Sequence, residues 1–204
     1  MTTFFWALWL AISVFIFGIF FWTTQALFEQ KKAWKAFAVK KGLKYFPNKF
    51  LSSPILTGLI DGHEFTLQSE LRDTGDLRGR KFKTVMQFGL PMRMQTAAVI
   101  GSGDFTTFVR GLTARDDLTI AFEGLPEGFV LGRSDDKDKL EGYFTPERLK
   151  VLETLMKQKN VSVLFLFDTR LAFIRLETID PLIKQAQLEK LVDKIVPMLK
   201  VLQP

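Results

Sequence analysis

The 204-residue sequence has no cysteine and one histidine, His63. The first absence excludes disulfides, thiolate metal sites and cysteine nucleophiles. The second removes histidine-pair metal centres and most histidine acid–base relays. Charge is missing from the first 28 residues, Glu29 being the first ionisable side chain. An alternating strand–helix–strand pattern is missing too, which argues against a parallel nucleotide-binding sheet. Carboxylates, Lys, Ser, Thr and Tyr remain for chemistry, and no spacing among them singles out a catalytic group. The sequence assigns no catalytic residue, no cofactor and no metal, and reads as a non-enzyme.

What fills the uncharged opening is Phe, Trp, Leu and Ile pointing in every direction of a helix. At 1.5 Å per residue the run makes a helix about 42 Å long, enough for hydrocarbon core plus headgroup layers. A soluble core helix would keep a polar stripe. Trp6, Trp9 and Trp22 stand near the two ends, where an indole prefers the headgroup level. Thr24 and Ala26 make a faint small-x-small cleavage pattern, but a basic leader is lacking and the apolar run exceeds the about 7–15 residues of a signal peptide. The segment reads as an uncleaved membrane anchor, residues 1–28.

Seven lysines follow between Glu29 and Lys49: Lys31, Lys32, Lys35, Lys40, Lys41, Lys44 and Lys49. Positive charge stays on the cytoplasmic side, so the N-terminus is expected outside and the rest in the cytoplasm, in a cell inner (plasma) membrane of a bacterium. These lysines, less Glu29, account for the whole net charge of +6, and the remaining 21 basic and 21 acidic residues cancel. The basicity is a juxtamembrane feature suited to anionic lipids; a nucleic-acid partner is not expected.

The stretch 29–42 reads as a basic juxtamembrane helix continuing the anchor, with Leu27, Trp34 and Ala38 on one stripe, Phe37 beside it, and Gly42 as its left-handed stop. Trp34 and Phe37 either dock the domain against its stalk, the preferred reading, or lie at the headgroup boundary. Residues 43–204 are enough for one domain. "ILTGLI", the Asp61-Gly62 turn and "HEFTLQSEL" predict a hairpin, and "KFKTVMQFGL" a further strand after the long tip "RDTGDLRGR". "MRMQTAAVI" adds a candidate strand, "DDLTIAFEGLPEGFVLGR" a hairpin, and "VSVLFLF" with "LAFIRLE" a late hairpin around Asp168-Thr169-Arg170. Thr145 and Pro146 open a helix that closes near Asn160, and Asp180-Pro181 are expected to cap a final helix kinked or split at Pro197. The fold class is α+β: one transmembrane helix extending into a juxtamembrane helix, then a single domain with a largely antiparallel sheet packed by C-terminal helices.

Several motifs resolve into ordinary structure. Gly101-x-Gly103 lacks the third glycine of a dinucleotide loop, where Thr106 stands, and reads as a turn. Asp135, Asp136, Asp138 and Glu141 miss calcium-loop spacing and read as a short exposed helix capped by Ser134. His63, beside Asp61 and Glu64 at a hairpin tip, reads as solvated. Two surfaces carry functional expectations. Ala7, Ala11, Gly18 and Gln25 share one helical face, where small residues admit a second helix. Lys31, Lys32, Lys35, Lys40 and Lys41 form a collar for anionic lipids.

The expected function is that of a non-catalytic accessory or scaffold subunit, or an assembly factor, of a larger membrane complex. Its partner would be an integral membrane protein, or a second copy meeting it through the anchor. The alternative is a pleckstrin-like module that recognises anionic headgroups through Arg78, Arg80, Lys81 and Lys83, a basic loop between two strands.

Overall fold

The computed structural model describes residues 2–49, 52–71, 82–118, 122, 125–140 and 142–203. It begins with one unbroken helix, α1, Thr2–Lys41, ended by Gly42 at a left-handed φ of 68°. Strands β1 (Lys44–Phe46), β2 (Ile55–Ile60), β3 (His63–Leu71), β4 (Phe82–Gly89) and β5 (Ala98–Ser102) follow. Next come α2 (Phe105–Gly111), β6 (Asp116–Leu118), β7 (Val130–Ser134) and a single 3-10 turn at Asp138–Leu140. The chain closes with α3 (Pro146–Met156), β8 (Val161–Phe167), β9 (Ala172–Thr178) and α4 (Gln185–Leu202).

Among the described residues the nine strands form one antiparallel sheet, ordered β1-β2-β3-β4-β9-β8-β5-β7-β6. The fold is α+β, as the run of alternating strands followed by amphipathic helices requires. Asp61 and Gly62, at φ 49° and 86°, supply the left-handed pair that a tight hairpin between β2 and β3 demands. Asp168 closes the β8–β9 hairpin by accepting from the backbone N–H groups of Arg170 and Leu171 at 2.5 and 2.8 Å. These two hydrogen bonds hold its carboxyl below the usual aspartate range.

Alternation along each strand sorts side chains to two faces. Leu56, Phe65, Met86, Phe88, Ile100, Phe165 and Ile174 face one way, into a core closed by the C-terminal part of α1 and by α3 and α4. Val99 and Leu164 face the other way and meet Val109 of α2. Gly101 permits that second contact: a Cβ there would stand 2.8 Å from Val109 Cγ2 and 3.0 Å from Phe105 Cβ.

Four sequence expectations change. The final helix starts at Gln185, not at Asp180-Pro181, because Asp180 Oδ1 accepts from Leu182 N at 2.9 Å and Leu182 turns left-handed at φ 48°. Pro197 does not split α4; the carbonyl it leaves without a helical donor belongs to the exposed Asp193, where water can reach. His63 is buried, since the alternation of β3 places it inward with Phe65 and Leu67; its Nδ1 faces Gly89 O at 3.2 Å. Ser134 ends β7, buried, with its hydroxyl on Ala97 O, so the acidic stretch holds a 3-10 turn and no helix capped by Ser134.

Candidate functional site

The most developed polar and aromatic arrangement lies where α1 changes surroundings. From Phe4 to Trp22 its large apolar side chains are exposed. By length and composition this helix is able to cross a membrane. Twelve residues from its end the same helix becomes a core element. Gln30, Ala33, Trp34, Phe37 and Ala38 are buried, Trp34 and Phe37 completely. Phe37 tilts onto Phe65 with ring centroids 6.2 Å apart, joining the aromatic row Phe65–Phe88. The docking expected of Trp34 and Phe37 is what the structure has.

Polar contacts fix the depth and rotation of this packing. Trp34 Nε1 donates to Leu182 O at 3.1 Å, and Gln30 Nε2 donates to Pro181 O at 2.9 Å. The left-handed turn at Leu182 presents both carbonyls to α1. Ser53 Oγ donates to Gln30 Oε1 at 2.9 Å, so the Gln30 amide is used at both ends. Thr84 Oγ1 donates to Asp180 O at 2.7 Å and secures the bracket from below. Sequence reading did not single out Gln30 or Leu182, and took Pro181 only as part of a helix cap; a lone amide in a lysine-rich run carries no periodic signal.

The collar lysines divide by direction. Lys40 pairs with Glu189 at 2.9 Å and Lys41 with Asp193 at 2.8 Å, tying the end of α1 to α4. The Lys40 contact, then that of Gln185, draws the Glu189 carboxyl below the usual glutamate range. Lys31 donates to Lys49 O at 3.0 Å. Lys32 and Lys35 point to the exposed side and, among the described residues, have no ion-pair partner.

Ala7, Ala11, Gly18 and Gln25 are all exposed. At 100° per residue their face is centred about 130° of arc from the docked face of α1. Gly18 has open space where a Cβ would sit, forming a notch between Phe15 and Trp22. Of the basic loop, Arg78, Arg80 and Lys81 lie outside the described residues. Lys83 is half-buried and held by Glu177 at 2.6 Å.

That ion pair is part of a ladder on the sheet face away from the main core. Arg175 Nη2 bridges Glu70 at 2.5 Å and Glu177 at 2.7 Å, while Gln68 donates to Glu70 Oε1 at 2.8 Å. Burial raises the Glu70 pKa, but the bonds from Arg175 and Gln68 outweigh it and hold the carboxyl below its ordinary value. Arg175 and Glu177 alternate with Ile174 and Leu176 in one strand, which is how four charges share a face. Each charge is met by its neighbours, which gives the ladder a structural role. Among the described residues no group of three acidic or histidine side chains could hold a metal ion.

No family model matches the chain, and no curated protein matches it. In fold the chain is similar to the crystal structure of the mycobacterial trehalose monomycolate transport factor A, TtfA. The TM-score is 0.48 and the identity 13%, over 86% of this chain and 97% of that one.

Proposed function

We propose that the chain is a single-pass, membrane-anchored accessory subunit or assembly factor without catalytic activity. Residues 1–28 are the anchor, 29–42 the basic juxtamembrane helix and 43–204 the cytoplasmic α+β domain. The observation that supports this reading is that one helix serves two solvents without a break: Trp22 is 77% exposed and Trp34 is 0% exposed on the same rod. No linker separates the lipid-facing part from the core-forming part. The domain is therefore held at one height and one orientation on the inner face of the membrane. A fixed orientation suits a module that presents a surface to a neighbour in the same bilayer.

The face of Ala7, Ala11, Gly18 and Gln25 is the surface for that neighbour, an integral membrane protein or a second copy. Small residues let two backbones approach, and Gln25 can hydrogen-bond across the contact. Lys32 and Lys35 meet anionic lipid headgroups of the inner leaflet, at about 1 kcal/mol each near the surface. The orientation follows from the lysines, with the N-terminus outside.

Purification in mild detergent at native expression level, with mass spectrometry of co-purifying proteins, tests the reading. An integral membrane partner or a homo-oligomer is expected; recovery of a lone monomer would overturn it. Protease added to intact cells should leave residues 43–204 whole, and alkaline carbonate should leave the protein in the membrane pellet. Salt-sensitive vesicle binding of residues 29–204, which lack the anchor but keep the docked end of α1, that vanishes with Arg78→Ala and Arg80→Ala would favour the headgroup-binding alternative.

A further inference from the structure

A groove of about 680 Å³ runs between α1 and the Leu71–Phe82 end of the β3–β4 pair. Its size is that of a ligand pocket, about 300–1,000 Å³. One wall is the helix itself, from Phe20 to Leu27; the facing wall is the cross-strand pair Leu71 and Phe82. That pair is 71% and 58% exposed, apolar, and stands beside the part of α1 that contains Trp22. With residues 4–23 filling the roughly 30 Å hydrocarbon layer, the groove straddles the inner boundary of the bilayer. Its mouth is continuous with the lipid-facing surface of the helix.

Among the described residues the floor is polar and carries no free charge. Gln30, Ser53, Ser69 and Thr84 line it with amide and hydroxyl groups. Among the described residues Lys83 is the one charged residue in the lining, and Glu177 pairs with it at 2.6 Å. Ser69 Oγ accepts from Gln30 Nε2 at 3.5 Å, which leaves its O–H free to donate. Ser53 and Thr84 already donate to Gln30 Oε1 and Asp180 O, so the Ser69 hydroxyl is the donor left on this floor, and one hydroxyl donor above an apolar cleft matches an ester carbonyl with its acyl chain. We infer that this groove seats one bilayer phospholipid, taking the upper acyl chain between Phe20, Leu27, Leu71 and Phe82 and the glycerol-ester carbonyl on the hydroxyl floor. The inference rests on the anchored reading of α1. It differs from the headgroup-loop alternative in chemistry, because it does not depend on lipid charge.

The experiment uses the full chain reconstituted in phosphatidylcholine vesicles that contain phosphatidylcholine with a photoactivatable diazirine near the ester end of one acyl chain. Adducts are mapped by peptide mass spectrometry. Adducts on Ser53, Ser69 or Thr84, besides those on residues 4–28, are expected. Adducts on residues 4–28 and on Leu71 and Phe82 alone would show a bilayer that reaches the rim of an empty groove, and would overturn the inference while leaving the anchor intact. Absence of adducts even on residues 4–28 would overturn both. Thr23→Trp fills the groove from the exposed helix, outside the packed core, so it should abolish the floor adducts and leave the unfolding midpoint of the domain unchanged. Persistence of floor adducts in Thr23→Trp would count against the seat. Raising salt to about 1 M, where the screening length is about 3 Å, should leave the floor yield as it was; loss of yield would assign the contact to the lysine collar and overturn the proposal.

Discussion

Trp34 donates its indole N–H to the carbonyl of Leu182, a residue 148 positions later, at 3.1 Å. The bond joins the end of the apolar helix to the turn before α4, and with Phe37 it makes the helix part of the domain core.

Two substitutions separate packing from hydrogen bonding at this joint. Trp34→Ala empties a fully buried site and is expected to cost about 3–5 kcal/mol. Trp34→Phe keeps most of the ring but leaves Leu182 O without its donor, for about 1–3 kcal/mol. Denaturant unfolding of the detergent-solubilised chain, followed by near-UV circular dichroism, measures both. Carbonate-resistant membrane association should survive in each variant, since the exposed apolar run is untouched.

Acid should weaken the domain through Glu70 and Glu189. Both carboxyls sit below their ordinary value of 4.5 in the folded chain. A depressed folded pKa means that the unfolded chain binds protons first, so the contribution is complete above the ordinary value and is lost as pH falls below it through the lowered one. The urea midpoint should therefore drop as pH falls below about 4.5, and Glu70→Gln should flatten part of that drop.

Removing Arg175 should be costly for a different reason. Glu177 is only 6% exposed, and without the guanidinium it keeps Lys83 alone as counter-charge. Arg175→Ala is expected to destabilise by about 3 kcal/mol, the lower end for breaking a buried ion pair. Thermal unfolding of Arg175→Ala and Arg175→Ala with Glu177→Gln checks this: the double variant should recover part of the loss.

Gly101→Ala should overpack the smaller core under α2. The new Cβ would stand 2.8 Å from Val109 Cγ2 and 3.3 Å from Phe105 O. The expected cost is about 1–3 kcal/mol, read as a lowered unfolding midpoint. Val109→Ala in the same chain removes the nearest atom and should restore part of it.

Gly18→Leu tests the exposed helix face. Its Cβ meets nothing in this chain, so domain stability should not change. A partner helix packed there would be pushed away, and detergent-stable co-purification should be lost. Phe17→Leu, on the neighbouring exposed surface, serves as the control and should retain it.

Much of this architecture could be read along the chain. The apolar rod, its lysine-rich exit, the stop at Gly42 and the hairpins around Asp61-Gly62 and Asp168-Thr169-Arg170 depend on residues within a few positions of one another. Trp34 and Phe37 were legible as docking residues because a helix that leaves a membrane with a bulky apolar stripe must cover it. Asp180-Pro181 misled because the same two residues open helices elsewhere; here the Asp180 carboxylate turns back on Leu182 N and the helix waits until Gln185. His63 misled because a position beside a turn is usually wet, whereas the pleat of β3 carried it inward beside Phe65.

The sequence by itself determined the change along α1 from a rod apolar on all sides to a helix with one apolar stripe, and the alternation that makes strands, since hydropathy and period are local properties of a chain. Only the tertiary structure decided that Gln30 meets Pro181, that Glu70, Arg175, Glu177 and Lys83 form one ladder, and that Phe20 faces Phe82 across a groove. Those pairings join positions 62 to 151 apart in four cases out of five, and a one-residue change of strand register or a quarter turn of α1 would undo them. They follow from how the sheet and helices bury their faces together, which no single segment specifies.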